Sequence, residues 1–173
     1  VNRAADAGWV NGVGGGLFQP DGTLTRAMFV TMLAGLSGVD EADYPGSTFS
    51  DVSVGQWYAP SVAWAASEGI VSGTGDGRFE PNRNITRQEM AQIMAGYLAW
   101  KGVDTHPTAD PSAYNIPDRA DIALWALDSV CFCYEKGLLS GGDHGFAPLD
   151  NATRAQACVV LCGLNDFLRK TEG

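Results

Sequence analysis

The chain has 173 residues, of which 45% are hydrophobic, 18% charged and 10% aromatic, which is too apolar for a disordered chain and suits one compact domain or several small repeats. Acidic residues outnumber basic ones by 20 to 11, and the net charge of −9 opposes non-specific binding to nucleic acid or to an anionic membrane surface. No apolar run approaches the roughly 20 residues that a membrane span needs.

A glycine-rich segment occurs three times and accounts for much of the glycine content. The first two copies align without a gap, and the third is one residue shorter. In each copy a phenylalanine precedes, by eight positions, the arginine of a Thr-Arg pair. The copies span 8–20, 69–81 and 137–148, and the pairs are Phe18 with Arg26, Phe79 with Arg87, and Phe146 with Arg154. The chain is therefore an internal repeat of three units.

Each unit has the pattern of a helix, a glycine-rich loop and a second helix. Apolar residues recur at helical spacing before the loop, from Val62 in the second unit, and after it, from Met90. The second helix begins with a capping box at 86–89 and with its Gln variant at 153–156, whereas 25–28 keep only the capping Thr. These patterns predict an all-α fold with little strand.

The units span 1–40, 49–104 and 114–170 and should form one compact module. One helical hairpin cannot bury its apolar face alone, so three could stack as a short solenoid or close about a pseudo-threefold axis. Periodicity leaves both arrangements open.

The first unit should lack its front half. The alignment matches Val1 to Val62 and Val130, so we expect the chain to start in mid-helix as a piece of something longer. The front half carries an aspartate and a tryptophan in each of the other units. These residues are Asp51 and Trp57 in the second unit, and Asp118 and Trp125 in the third.

The combined motif resembles the S-layer homology (SLH) family. Its hallmark is Phe-x-Asp-Val, a Trp, Gly-Ile-x-x-Gly, Gly-x-Phe-x-Pro and Ile-Thr-Arg-Ala-Glu, in that order. The second unit matches it closely, at 49–52, 57, 69–73, 77–81 and 85–89, with Gln88 in place of the Ala. Met28 and Gln156 replace the family's Glu in the other units, Ile116 replaces the Phe, and the third loop is one residue short.

The resemblance implies three repeats about a pseudo-threefold axis with a central three-helix bundle. Family members attach secreted proteins non-covalently to the bacterial cell wall. Their usual ligand is a secondary cell-wall polysaccharide that ends in a pyruvylated N-acetylmannosamine, bound in grooves between repeats. We expect the same anionic polysaccharide here, with no cofactor, no nucleic acid, no membrane insertion, cargo domains elsewhere in the parent protein, and a monomeric module.

The resemblance also implies a set of ligand-binding residues. They are Arg26, Arg87, Arg154, Asp51, Asp118, Trp57, Trp125, Gly12, Gly73 and Gly141. A guanidinium can bind a ketal pyruvate carboxylate through two hydrogen bonds, and the first turn of a helix adds a positive dipole end. Tryptophan suits the apolar face of a sugar, and glycine admits the ligand close to the backbone. Because the first unit lacks its Asp and Trp, at most two grooves should be complete.

Each candidate has a structural alternative. The arginines could form ion pairs with a neighbouring unit, the tryptophans could pack in the core, and the aspartates could cap the first helix. Asp76 and Asp143 are expected to form turns rather than to bind ligand. Cys133, Cys158 and Cys162 align with small core positions, although a disulfide between the two helices of the third unit stays open.

Catalytic and metal motifs are not found in the sequence. There is no Gly-x-Ser-x-Gly, His-Glu-x-x-His or phosphate-binding loop. A zinc site is not expected, because no Cys-x-x-Cys occurs and His106 and His144 are the only histidines. We therefore expect a cell-surface anchoring module that is not an enzyme. The alternatives are a protein-interaction module with degenerate grooves and an accessory domain of a wall-active enzyme.

Overall fold

Six α-helices supply the regular structure of residues 1–10, 18–142 and 145–171, the parts of the chain that the computed structural model describes. They are α1 (Asn2–Asp6), α2 (Arg26–Ser37), α3 (Ala59–Ser67), α4 (Arg87–Trp100), α5 (Leu127–Glu135) and α6 (Arg154–Thr171). Four short 3-10 helices lie in the connections, at Glu41–Asp43, Pro111–Ala113, Arg119–Asp121 and Leu124–Ala126. Within these ranges only isolated bridges and no strands occur, so the all-α prediction is confirmed. None of the described helices is long and apolar enough to cross a membrane.

The predicted capping residues start the second helix of every unit. Thr25 accepts a hydrogen bond from the amide of Met28. Thr86 and Glu89 form the full reciprocal box, which satisfies two amide groups that the first turn leaves without partners. The Gln variant also closes, because the amide of Thr153 donates to Gln156 Oε1 at 3.0 Å and the amide of Gln156 donates back to Thr153 Oγ1.

Helices pair between units rather than within them. The main contacts join α2 to α3 and α4 to α5, and α6 contacts both α2 and α1. In the pairs α2–α3, α4–α5 and α6–α1, the second helix of one unit packs on the first helix of the next, so α6 of the third unit returns to α1 of the first. The helices of one sequence repeat are therefore shared between two packing pairs.

Three backbone hydrogen bonds link the units just ahead of α2, α4 and α6. The amide of Leu24 donates to Ala152 O at 3.3 Å, the amide of Ala152 to Ile85 O at 2.9 Å, and the amide of Ile85 to Leu24 O at 2.9 Å. All three residues are buried. In a linear solenoid the terminal units do not touch, so the units close on one another instead. The pseudo-threefold axis and central three-helix bundle stay predictions.

The four cysteines are free thiols. Cys131, Cys133 and Cys158 are buried, and Cys162 is partly buried. The Sγ of Cys133 lies 3.8 Å from Ala91 O because α5 packs on α4, and burial raises the pKa of this thiol to about 12. The core interpretation is confirmed, and the alternative of a disulfide in the third unit is wrong.

Candidate ligand-binding grooves

The arginines that start α2, α4 and α6 are buried and connect neighbouring units. Each Nε donates to the carbonyl oxygen of the loop phenylalanine in the following unit, and each guanidinium lies over that ring. The pairs are Arg26 with Phe79 (2.9 Å to the oxygen, 4.7 Å to the ring centroid), Arg87 with Phe146 (2.7 and 4.9 Å) and Arg154 with Phe18 (3.0 and 4.8 Å). Cation–π contact of this kind is stronger when it is shielded from water.

The outer nitrogens of Arg26 and Arg87 have different partners. Arg26 forms an ion pair of 3.2 Å with Glu89 of the second unit, with both side chains largely buried. Arg87 donates to Ser140 O at 2.7 Å. Burial lowers the pKa of both guanidinium groups. The predicted alternative of an ion pair between units is thus confirmed for Arg26.

The Glu89 carboxylate accepts hydrogen bonds from several groups at once. Burial opposes its ionisation, but hydrogen bonds from Arg83 and Thr86 together with the charge on Arg26 hold the pKa of this carboxyl below its ordinary value. Glu89 therefore remains a carboxylate at neutral pH and joins α2 of the first unit to α4.

Asp51 and Asp118 bind the backbone of the glycine-rich loops. Each carboxylate accepts two consecutive amides, so each loop is held by two charge-assisted hydrogen bonds. The distances are 2.8 Å from Phe79 N and 2.8 Å from Glu80 N for Asp51, and 2.7 Å from Phe146 N and 2.6 Å from Ala147 N for Asp118. Burial opposes ionisation of Asp51, yet these amides hold its pKa below the ordinary value.

The expectation that these aspartates could cap the first helix is wrong. The N-cap residues of α3 and α5 are Tyr58 and Ala126, and neither helix has a side-chain cap. The carboxylates instead stabilise the loops at Glu80 and Ala147, whose φ angles of 58° and 55° are left-handed. Side chains other than glycine adopt this region at a cost. The spacing of the sequence identifies these aspartates as candidates, but it does not identify the loop amides as their partners.

Trp57 and Trp125 are exposed to 57% and 56%, so the alternative of core packing is wrong. Trp57 contacts the ring of Tyr58 edge to face. Trp125 lines a cavity of about 540 Å³ that lies between units. Arg26 of the first unit and the loop 69–75 of the second line the same cavity. Arg26, Gly73 and Trp125 are predicted ligand-binding residues of three different units, and they meet at this one cavity.

Gly73 has a packing reason as well as a place in the cavity. A Cβ on it would lie 2.6 Å from Arg78 O and 2.8 Å from the ring of Phe49. Sequence analysis missed Glu89, Gln92 and Ile93, which also line the cavity. Their spacing in the sequence puts them on one face of α4. This spacing is the signal that could have identified them as lining residues.

One known protein family matches most of the chain. The family model of the S-layer homology domain matches residues 1–28, 48–91 and 116–158. The chain belongs to the S-layer homology family. Membership indicates the bacterial cell surface or cell wall as the location of this SLH module.

Known relatives are much longer than the SLH module. It is 34% identical over 148 residues to an amylopullulanase of Thermoanaerobacterium thermosulfurigenes, covering 85% of this chain and 8% of that protein. It is 32% identical over 162 residues to an S-layer protein of Bacillus thuringiensis subsp. finitimus, covering 93% and 19%. It is 27% identical over 160 residues to a cellulosome-anchoring protein of Acetivibrio thermocellus, covering 90% and 35%. Together with the family match, these proteins support a cell-surface anchoring role.

A second cavity between units has a different lining. Arg87 and Gly141 line a smaller cavity of about 330 Å³ with Ser140, Asp150 and Gln156. The repeat relation would combine Arg154 and Trp57 with Gly12 in the third groove. Gly12 lies outside the described residues, and so do Asp143 and His144.

Asp76 has a local role in its turn. Asp76 Oδ1 accepts hydrogen bonds from Thr74 Oγ1 and from the amide of Arg78, which confirms the turn prediction for Asp76. Residues 1–10, 18–142 and 145–171 hold no group of three or more His, Cys, Asp or Glu side chains that could bind a metal ion.

Proposed function

We propose that the module anchors its parent protein to the bacterial cell wall by binding a secondary cell-wall polysaccharide in the grooves between units. A pyruvylated N-acetylmannosamine terminus is the proposed ligand. The observation that carries this proposal is the convergence of Arg26, Gly73 and Trp125, from three units, on one open cavity.

The cavity has the chemistry that such a terminus needs. Phe79 and Glu89 take two of the five N–H donors of Arg26 within the described part of the chain. The remaining donors can bind the two oxygens of a pyruvate carboxylate. The half-exposed ring of Trp125 offers an apolar face to the sugar. The proposed anion therefore binds through hydrogen bonds from Arg26, beside the Glu89 carboxylate that lines the same cavity.

The proposed role is attachment without catalysis. The amylopullulanase relative is matched over 8% of its length, so its name describes a protein that is mostly outside the match. We propose that the module binds without a cofactor, works as a monomer and carries cargo domains of its parent protein.

The test compares purified cell walls of the source organism before and after removal of pyruvyl groups. Depyruvylation should abolish binding. Trp125→Ala should weaken binding to intact walls about five- to tenfold, since aromatic contacts contribute about 1 kcal/mol. Leu124→Ala is the matched control, because Leu124 is the adjacent residue and is 90% exposed. Equal binding by all variants to both wall preparations would contradict the proposal.

The three arginines should contribute unequally to wall binding. Trp125 lines the groove of Arg26, whereas the groove of Arg87 has no equivalent tryptophan among the described residues. Single Lys variants of Arg26, Arg87 and Arg154, compared at equal folded fraction, should therefore lose different amounts of affinity. Equal losses would show that the grooves are equivalent.

A protein-interaction module is the second candidate function. It is favoured by the exposed apolar side chains Val54 (78%) and Leu124 (90%) and by Met28 in place of the family's Glu. Binding to walls that ignores depyruvylation but falls with Leu124→Ala would favour this alternative. An accessory domain of a wall-active enzyme, the remaining alternative, would show as catalytic activity in the parent protein.

A further inference from the structure

The third residue of the second helix differs in charge between the second and third units. It is Glu89 in α4 and Gln156 in α6, and both side chains cap their helix in the same way. Glu89 Oε2 accepts a hydrogen bond from the amide of Thr86 at 2.9 Å. Gln156 Oε1 accepts one from the amide of Thr153 at 3.0 Å. Capping of these helices therefore does not require the negative charge of Glu89.

Each of these two side chains lines a cavity together with an arginine of the preceding unit. Glu89 lines the cavity of about 540 Å³ with Arg26, which we call the Arg26 cavity. Gln156 lines the cavity of about 330 Å³ with Arg87, which we call the Arg87 cavity. A carboxylate thus borders the first cavity at the position where a neutral carboxamide borders the second.

The Glu89 carboxylate is in contact with Arg26. Its Oε1 lies 3.2 Å from Arg26 Nη1, and the exposed fractions of the arginine and glutamate side chains are 6% and 13%. Arg83 and Thr86 also donate to this carboxylate and fix its position. An anion that enters the Arg26 cavity meets a like charge beside the guanidinium, and such a juxtaposition opposes binding.

Arg87 has no counter-ion of this kind. The residue is 9% exposed, and its Nε and Nη2 donate to the carbonyl oxygens of Phe146 and Ser140. It forms no ion pair with any residue of 1–10, 18–142 and 145–171. Buried charges in proteins are as a rule paired. Arg87 is therefore a buried cation without a carboxylate partner in these ranges, and it borders an open cavity.

Gln156 adds a second donor to the Arg87 cavity. Its Oε1 is used by the helix cap, so Nε2 is the group that remains to donate, and Nε2 has no partner among the described residues. Asp150 contributes a carboxylate to the same lining, but it is exposed and makes no ion pair with Arg87. Solvent therefore screens its charge. The Arg87 cavity offers N–H groups of two side chains to one anion.

We propose that the residue at this helix position determines the ligand preference of each cavity. Glu89 lowers the affinity of the Arg26 cavity for a carboxylate, so binding there depends on the sugar ring that Trp125 contacts. Gln156 makes the Arg87 cavity a site for a carboxylate without a stacked sugar. The part that concerns the sugar rests on the proposed function, whereas the difference in affinity for an anion follows from the contacts of the two arginines.

The test is a titration of the whole chain with sodium acetate at constant ionic strength. NMR spectra of the arginine side chains follow the Nε–H signals of Arg26 and Arg87 separately. Acetate carries the carboxylate charge but no sugar, so it reports the anion preference alone. The Arg87 signal should respond at an acetate concentration about tenfold lower than the Arg26 signal.

Exchanging the two residues should reverse this order. Glu89→Gln should strengthen acetate binding at Arg26, and Gln156→Glu should weaken it at Arg87, each about tenfold. Both substitutions keep a side chain that can cap the helix, and thermal unfolding checks that the variants are folded. Asp43→Asn is the control for net charge, because Asp43 is exposed and lines neither cavity. It should leave both signals unchanged.

Three results would overturn this inference. They are an Arg87 signal that does not respond to acetate, equal acetate affinities at the two arginines, and folded exchange variants that keep the original order. A second titration with pyruvylated N-acetylmannosamine separates the inference from the proposed function. If this sugar shifts neither arginine while acetate binds in the expected order, the proposed function fails and the anion preference stands.

Discussion

At the residue scale, single carboxylates fix the connections of this module. Asp51 and Asp118 each hold two amides of a loop with left-handed backbone. The Glu135 carboxylate accepts hydrogen bonds from Lys136, Tyr114 and the amide of Thr108. It therefore connects the linker between the second and third units to α5. Local conformations that are costly alone persist because such contacts stabilise them.

Replacing Asp51 by Asn should destabilise the chain. The Asn side chain cannot accept both amides of Phe79 and Glu80, and one buried donor then lacks a partner, at a cost of about 1–3 kcal/mol. Urea unfolding measures this change in the free energy of unfolding. Asp21→Asn, at an exposed position, removes the same charge and should have little effect. Equal effects of the two variants would mean that net charge, not the loop contact, sets the stability.

Glu135 should contribute to acid unfolding. The hydrogen bond from Lys136, followed by those from Tyr114 and Thr108, lowers its pKa to about 2. Since the folded state binds this proton less readily than the unfolded chain, the contribution is complete above about pH 4.5 and is lost as the pH falls towards 2. The urea midpoint should therefore fall more between about pH 7 and about pH 3 in the wild type than in Glu135→Gln. Parallel curves would exclude this role.

At the element scale, helices in equivalent places meet different neighbours. Gly35, Gly96 and Gly163 occupy the same position of α2, α4 and α6. A Cβ on Gly96 would lie 2.5 Å from Ile70 O, whereas one on Gly163 would have Leu138 Cδ2 at 3.9 Å as its nearest neighbour. The repeat therefore keeps a glycine whose packing reason differs from unit to unit.

Gly96→Ala and Gly163→Ala should change stability in opposite directions. The first forces a methyl group against a backbone carbonyl and should cost about 1–3 kcal/mol. The second keeps an ordinary contact and gains about 0.5–1 kcal/mol, because Ala restricts the unfolded chain and favours the helix. Thermal and urea unfolding of the pair provide the measurement. A stabilised Gly96→Ala would mean that α4 does not approach the loop at Ile70 so closely.

At this scale, the arginines at the starts of α2, α4 and α6 have a structural role as well as a proposed binding role. A cation at the first turn of a helix is locally unfavourable, so its presence in three copies favours a role in ligand binding. Stacking on the phenylalanine of the next unit gives each arginine a structural role as well. Variants of these arginines therefore report folding and binding together, and Trp125 is the cleaner probe of binding.

At the scale of the whole molecule, closure of the three units should make unfolding cooperative. Backbone hydrogen bonds connect Leu24, Ile85 and Ala152 to one another and so link the three units. We expect their amides to exchange only on global unfolding. Ile85→Ala should cost about 2–5 kcal/mol and reduce protection of all three amides equally, with Ile85→Val as the milder control. Loss of protection at Ile85 alone would indicate units that unfold one by one.

The sequence alone determined the three-unit repeat, the all-α class, the helix starts at Thr25, Thr86 and Thr153, and the family. Helical periodicity and capping depend on residues that lie a few positions apart, so they can be predicted from the sequence. Only the tertiary structure decided that helices pair between units, that Asp51 holds a loop, and that Trp125 joins Arg26 at one cavity. These features depend on contacts between distant segments, such as Arg26 with Phe79 at a separation of 53 residues and Arg154 with Phe18 at 136. Local patterns do not tell which unit supplies the partner of each arginine, because all three units contain the same arginine and phenylalanine.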